Sequence, residues 1–355
     1  MQLGILGLPK SGKTTLFNTL TASHQATDKY SSSSQTNMGM ATVRDTRLET
    51  LRDLFNPKRY VPATVQYVDI PGMKKGESAE SLDLAKLKTV DALVHVVRAF
   101  EDPEILHPEG SVDPARDVDT LDLELILADH TIVEKRLERL DKAVKRGLTP
   151  EELRERQILA EIVMPALESE KPLREVELDP EDEKRLRGFQ LLSAKPILQV
   201  INVDEARAAK SPEELGIKVR PAVRAVTVSA PIELEISTLP PEEQKEFLSD
   251  LGLEAPSLDR VTRASYDLLG VISFFTVGED EVRAWTIRRG TKAREAAGTI
   301  HSDIERGFIR AEVVHCDDLI RLKTMAACRD AGVLRLEGKE YVMKDGDVAH
   351  FRFNV

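Results

Sequence analysis

Apolar positions in the first hundred residues come as short runs separated by stretches of helical spacing. Residues 3–6, 64–69 and 92–97 are runs of the kind that form buried parallel strands, and residues 15–20 space their apolar side chains like the start of an amphipathic helix. Strands alternating with helices predict a parallel, doubly wound α/β sheet. The same pattern returns at 196–202, a mainly apolar run with its polar end at Asn202, and at 225–230. The stretch between is different. Residues 119–146 are dense in Leu, Glu, Lys and Arg, with an apolar stripe at Leu121, Leu125, Ile132, Leu137 and Leu140. A second helix is expected from Thr149, a cap followed by Pro150, to about residue 170. Two charged helices joined at Arg146-Gly147 predict an antiparallel, coiled-coil hairpin inserted into the α/β domain. That arm reads either as a solvated structural element or as a docking arm for a large partner. Past residue 273 the pattern changes again. Strand candidates at 274–277, 282–287, 309–314, 334–336 and 348–353, with a helix near 292–304, predict a compact α+β domain. The expected division is 1–118 with 191–272, 119–190, and 273–355.

Composition narrows the class. A net charge of −11 argues against a whole-surface nucleic-acid binder, while leaving room for a local basic patch. Two cysteines, Cys316 and Cys328, argue against a disulfide framework and fit a reducing compartment. They read as ordinary thiols or as redox-sensitive ones. No apolar run reaches membrane-spanning length, and the first apolar run leads directly into a glycine-rich loop rather than a cleavage site, so a cytoplasmic protein is expected.

That loop carries the chemistry. Gly7-Leu8-Pro9-Lys10-Ser11-Gly12-Lys13-Thr14 matches G-x-x-x-x-G-K-[ST], set between a strand and a helix as the phosphate-binding motif requires. Backbone N–H groups would cradle phosphate oxygens, Lys13 would reach the β- and γ-phosphates, and the Thr14 hydroxyl would take a Mg²⁺ position. Candidate nucleotide contacts are Lys10, Ser11, Gly12, Lys13, Thr14 and Thr15. Asp69-Ile70-Pro71-Gly72 closes the run at 64–69, where a D-x-x-G places its Asp near Mg²⁺ and its Gly N–H at the γ-phosphate. The next residue is Met73, where Ras-like enzymes carry a water-orienting Gln. A thioether cannot polarise water, so hydrolysis is slow or another group supplies that contact.

The base-reading element is altered as well. GTPases place Asn-Lys-x-Asp after a buried strand; here the tetrad is Asn202-Val203-Asp204-Glu205. A Glu in place of the Asp misplaces the carboxylate that would pair with guanine, and adenine offers no N1–H to meet it. Strong guanine selectivity is therefore not expected. Asn202 would brace the loop and Val203 would pack on the base. Ser229-Ala230 stands where a backbone-presenting loop would lie.

With these motifs the chain resembles the YchF/Obg-like ATPase family, over nearly its whole length. The resemblance rests on Gly7–Thr14, on Val68-Asp69-Ile70-Pro71-Gly72, and on Asn202-Val203-Asp204-Glu205. It rests most on the long C-terminal stretches 282–290, 307–313 and 345–355. It implies an ATP-preferring, Mg²⁺-dependent hydrolase with a P-loop domain, an inserted helical hairpin and a C-terminal β-grasp domain of TGS type. It also implies association with the ribosome, 50S or 70S, in translation or stress regulation. In this family a hydrophobic residue replaces the switch Gln, and a His from a following loop takes over; His107 stands at that place. The candidate catalytic set is thus His107, Lys13 and Gly72. Aligned on the family's first switch, Ser33 falls on the Thr that meets Mg²⁺, giving Thr14, Ser33 and Asp69 as metal ligands. The chain departs from the family at Ser31–Thr36, at Pro71 and at Lys74–Ser78. Two other readings remain, a GTPase with relaxed base specificity and a nucleotide-stabilised ribosome- or RNA-binding adaptor. Arginines after residue 282, with Trp285 and Phe308, would serve the last if the aromatic rings stack on bases rather than in a core.

Overall fold

A computed structural model describes residues 1–21, 37–71, 84–220 and 222–354. The expected site residues Ser33, Gly72 and Met73 lie outside the described residues. The chain forms two compact units, Met1–Met40 with Gln66–Val261, and Ala41–Val65 with Thr262–Val355.

Strands in chain order are β1 (Gln2–Leu6), β2 (Asn37–Thr42), β3 (Arg59–Val61), β4 (Thr64–Asp69), β5 (Ala92–Arg98), β6 (Ile197–Asn202), β7 (Arg224–Val228), β8 (Val271–Thr276), β9 (Glu281–Arg288), β10 (Phe308–His315), β11 (Arg335–Glu337) and β12 (Asp347–Phe353). The first sheet has the order β2-β4-β1-β5-β6-β7, and every pairing from β4 to β7 is parallel. Every residue of β5 and β6 is buried, which is why these strands read as mainly apolar runs in which His95 and Gln199 are the only interior polar residues. In a parallel sheet all strands end on one edge. Here that edge collects Leu6 with the glycine-rich loop behind it, Asp69, Arg98, Asn202 and Ser229, so topology alone gathers the motifs.

Three helices follow the early strands: α1 (Lys13–Thr21), α2 (Thr46–Phe55) and α3 (Leu84–Thr89). The fourth, α4 (Pro114–Ala143), is the longest, 30 residues or roughly 45 Å at 1.5 Å per residue. It starts five residues before the composition shift at 119, because Asp113 caps it through the Arg116 N–H and Pro114 occupies its first turn. Its first half packs Leu121, Leu125 and Ala128 onto the sheet beside Leu93 and Ile197. Its second half packs Val133 and Leu140 against Ile158, Leu159, Val163 and Leu167 of the returning chain. The return begins as α5 (Pro150–Ile158), opened by a full capping box between Thr149 and Glu152, and continues through a π turn into Met164–Glu168. The arm has a core of its own. Its base is fixed by the buried Asp129 carboxylate, which accepts from the N–H groups of Leu192 and Ser193, both at 2.7 Å, and from Ser193 Oγ at 2.6 Å.

The run expected to continue as strand through Ala230 ends at Val228. Ser229 takes the N-cap position of the helix Ala230–Thr238 and Pro231 its first turn, so the chain turns out of the sheet there.

In the second unit the sheet order is β11-β10-β12-β8-β9-β3. A β8–β9 hairpin precedes the helix Ala293–Ile300, and β8 runs parallel to the last strand β12 in the middle of the sheet, the β-grasp arrangement. Ala293, Ala296 and Ala297 let that helix lie close over Phe274, Ala311, Val313 and Phe351. The segment Asp45–Val61, expected within the nucleotide-binding sheet, belongs to this unit. β3 pairs in parallel with β9, the Arg47 guanidinium bonds Asp345 at 2.9 Å, and it stands 5.4 Å from the Phe275 ring centre. Among the described residues no helix is long and apolar enough to cross a membrane.

Asp129 provides a test of the arm's attachment. Asp129→Ala removes one carboxylate and leaves two buried N–H donors without partners, and we expect a loss of about 2–4 kcal/mol in chemical denaturation. A loss below about 0.5 kcal/mol would show that the arm's base does not depend on this contact.

Candidate functional site

The phosphate loop is shaped before any ligand arrives. Lys10 takes a left-handed backbone at φ 62°, and Gly12 sits at φ 92°. A side chain at Gly12 would collide with Nδ2 of Asn202, so the backbone comes closer to its neighbour here than any other residue permits. α1 begins at Lys13 and turns its first N–H groups, the positive end of the helix dipole, toward the loop. Ser11 is 2% exposed. Thr15 is half-buried in the first turn of α1.

Lys13 is buried, and its Nζ donates to the Leu8 carbonyl at 3.1 Å. Burial lowers its pKa to about 8, against an upward pull from the Asp69 carboxylate. Burial likewise raises Asp69 above the ordinary carboxylate range, with Lys13 and the Thr14 hydroxyl pulling the other way. Thr14 Oγ1 lies 3.4 Å from Asp69 Oδ2, while Asp69 Oδ1 is buried without a hydrogen-bond partner among the described residues. Two hard oxygen donors converging, one of them orphaned, suit Mg²⁺, which prefers carboxylate and hydroxyl oxygens and keeps several waters.

Asn202 joins two loops. Its Nδ2 donates to the Ser11 carbonyl at 3.0 Å, and its Oδ1 accepts from the Ala230 N–H at 3.1 Å. Val203 is buried at 1% exposure and donates its N–H to the Val228 carbonyl at 2.9 Å. The two carboxylates of the tetrad go elsewhere. Asp204 is bound by the Arg207 guanidinium at 2.9 Å, which holds it below the usual carboxylate range, and Glu205 is exposed on the following turn. Ser229 and Ala230 are buried beside Asn202.

His107 is placed differently from an ordinary loop histidine. Its side chain is 3% exposed. Nδ1 accepts from the Glu109 N–H at 3.1 Å, and Nε2 lies 2.9 Å from the carboxylate of Asp117 in α4. Asp117 and the neighbouring Arg98 carry no motif that marks them in the sequence. Arg98 closes the loop from the strand side, donating to the carbonyls of Phe100 at 3.1 Å and Ile105 at 2.9 Å. Only the helical phase of α4, readable from the Asp113-Pro114 cap, could have placed Asp117 inward.

The second unit holds the other candidates. The Trp285 ring is half-buried, stacks on Phe274 and lies beneath Arg283 at 4.1 Å, with its indole N–H donating to Thr276 Oγ1 at 2.9 Å. Several nearby cations are already paired: Lys292 with Glu340 at 2.5 Å and Arg306 with Asp303. His315, Cys316 and Asp317 bring ligand-type atoms within 4.8 Å of one another. They form a helix cap, however: His315 Nδ1 accepts from the Asp317 N–H at 3.4 Å, and burial pushes the Cys316 thiol up to about 12, against the thiolate a metal needs. Both cysteines are buried and free.

Comparison with known proteins agrees with this layout. Residues 2–134 match a family profile described as a 50S ribosome-binding GTPase, and residues 271–354 match the YchF-type GTPase C-terminal profile, described as a protein of unknown function. The Bacillus subtilis protein named ribosome-binding ATPase YchF is 47% identical over 99% of both chains. The Schizosaccharomyces pombe Obg-like ATPase 1 is 35% identical, covering 99% of this chain and 94% of its own. A solved structure described as the S. pombe YchF GTPase superposes with a TM-score of 0.86 at 34% identity, covering 99% of this chain and 97% of that one.

Lys13 gives the site a pH dependence with a definite sign. In the ligand-free protein its proton leaves above about 8, whereas a bound polyphosphate holds the cation in place. Binding above that pH must take up a proton. Nucleotide affinity is expected to be flat below about pH 7 and to fall toward about tenfold per pH unit above 8, read by calorimetry from pH 6.5 to 9.5. Lys13→Met should bind weakly with no such slope. Affinity unchanged up to pH 9.5 would contradict the assignment.

Proposed function

The chain belongs to the YchF/Obg-like ATPase family, and from that premise we propose that it is an ATP-hydrolysing switch that associates with the ribosome. ATP lies with its phosphates in the loop 7–14, contacted by Lys10, Ser11, Gly12, Lys13, Thr14 and Thr15. Thr14, Asp69 and, from outside the described residues, Ser33 would hold Mg²⁺, which would supply charge neutralisation to the bound polyphosphate. Lys13 and the Gly72 N–H stabilise the transferring phosphoryl group. His107 orients or deprotonates the attacking water, the task Met73 cannot perform.

The observation that carries the choice of base is the tetrad loop. Guanine recognition needs a carboxylate that meets N1–H and the exocyclic amine together. Asp204 is tied to Arg207, and Glu205, one methylene longer than the expected Asp, sits exposed on the next turn. Asn202, Glu205, Ser229 and Ala230 would border the adenine, and Val203, buried at 1% exposure, would reach its face only through a shift of the loop. The relatives named ATPases support the same reading, although the solved S. pombe structure is described as a GTPase.

The functional parts are the nucleotide-binding domain (1–118 and 191–272, apart from the segment Ala41–Val65 and the residues from Thr262, which pack in the C-terminal unit), the arm (119–190) and a TGS-type domain (273–355). The arm and the TGS-type domain meet the ribosome, the latter through RNA, with Trp285 and the arginines around it as contact candidates. The protein works in the cytoplasm.

Titrating ATP and GTP against the pure protein tests the base: ATP should bind at least about tenfold more tightly, and equal affinity or a GTP preference would overturn this reading in favour of the relaxed GTPase. Single-turnover hydrolysis tests the catalyst. His107→Ala should cut the rate by about 10²–10⁴ with ATP affinity nearly unchanged. A rate that survives the substitution removes His107 from the mechanism.

A further inference from the structure

A base that activates water needs a free lone pair, and His107 in this structure has none. Nδ1 already accepts from the Glu109 N–H at 3.1 Å, with an Arg116 guanidinium nitrogen 3.5 Å away on the same atom. Nε2 and Asp117 Oδ2 are 2.9 Å apart, and two acceptors cannot sit so close without a proton on one of them, so Nε2 carries the hydrogen and faces the carboxylate as an ion-pair contact. Among the described residues Oδ2 is buried without a well-formed hydrogen bond, which makes the nearby imidazole its main compensation. Arg116 fixes the other oxygen, Oδ1, at 2.8 and 3.1 Å, and itself bonds the Ser111 carbonyl at 2.6 Å. The loop closes on itself as well, since the Gly110 N–H donates to the His107 carbonyl at 3.0 Å.

This clamp sits at a mechanically informative place. Asp117 lies in the first turn of α4, and the same helix continues without a break past the sheet contacts at Leu121 and Leu125 to the arm core at Val133 and Leu140. One continuous helix thus carries both the turn that faces the imidazole and the core of the arm.

We propose that Asp117 is a positioning residue that stows His107 in a non-catalytic state, and that opening the His107–Asp117 contact is a regulated step of turnover. The idea rests on the assignment of His107 as the water-activating group. If the stowed state dominates at rest, basal turnover is reduced by the fraction of molecules with the contact open, and weakening the contact raises the rate by the inverse of that fraction.

The test is a mutant cycle on the full chain with ATP and Mg²⁺, reading kcat and KM. Asp117→Ala should raise basal kcat by about threefold or more with KM for ATP unchanged, and Asp117→Asn, which keeps the shape and weakens the hold, should raise it less. In the His107→Ala background neither substitution should raise kcat. A structural effect of Asp117 would not discriminate between the two backgrounds. The proposal is overturned if the Asp117 variants lower or leave unchanged the turnover of a chain that carries His107, or if the gain persists without His107. Should Asp117→Ala melt below the assay temperature, the Asn variant decides on the same criteria. If His107→Ala alone turns over at the wild-type rate, the catalytic assignment fails first and this inference with it.

Discussion

One side-chain amide ties the site together. Asn202, at the end of a fully buried strand, spends Nδ2 on the Ser11 carbonyl of the phosphate loop and Oδ1 on the Ala230 N–H of the loop after β7. It thereby fixes the spacing between the place where phosphate binds and the place where the base would lie. Two neighbours make the arrangement possible: Gly12, where a Cβ would strike the amide, and Ser229, which turns the chain from strand to helix so that the Ala230 N–H faces inward. A buried amide with both ends bonded is stable, whereas one with a missing partner leaves a buried donor or acceptor uncompensated. The two bonds thus tie the phosphate loop to the loop after β7 through one buried side chain.

The charges at the site show the opposite condition. Lys13 and Asp69 are both pushed toward their neutral forms by burial, and one Asp69 oxygen has no hydrogen-bond partner among the described residues. A frame that is rigid and hydrogen-bonded thus encloses charges that are poorly solvated. Polyphosphate and a divalent cation would relieve both at once, which is a reason for affinity that contact area alone does not supply. His107 follows a third pattern. Its Nδ1 accepts from the Glu109 N–H and its Nε2 stands 2.9 Å from the Asp117 carboxylate, so its surroundings hold it in place independently of the phosphate loop.

The sequence showed the nucleotide edge well, because each of its parts is local. The glycine-rich loop, the Asp after a run of alternating apolar residues and the Asn after another are readable from spacing alone, and parallel strands must end together. Most strand positions in the β-grasp unit were legible for the same reason, within one residue, although β8 starts three residues before the expected run. What escaped was non-local. Nothing in Asp45–Val61 says that β3 will pair with β9, since Arg47 meets Asp345 across 298 residues of chain. The start of α4 was misplaced because composition changes at 119, while the helix is set by a cap at Asp113. The burial of His107 depends on which way the first turn of α4 faces, a matter of packing rather than pattern.

The central claim is that Asn202 holds a prebuilt nucleotide site to which the phosphate and base loops both answer. Calorimetric titration of ATP against Asn202→Ala, with a melting curve recorded beside it, tests this directly. Loss of two buried hydrogen bonds and misplacement of both loops should weaken ATP by about tenfold to a hundredfold in a chain that still melts cooperatively. Affinity within about twofold of wild type would contradict the account.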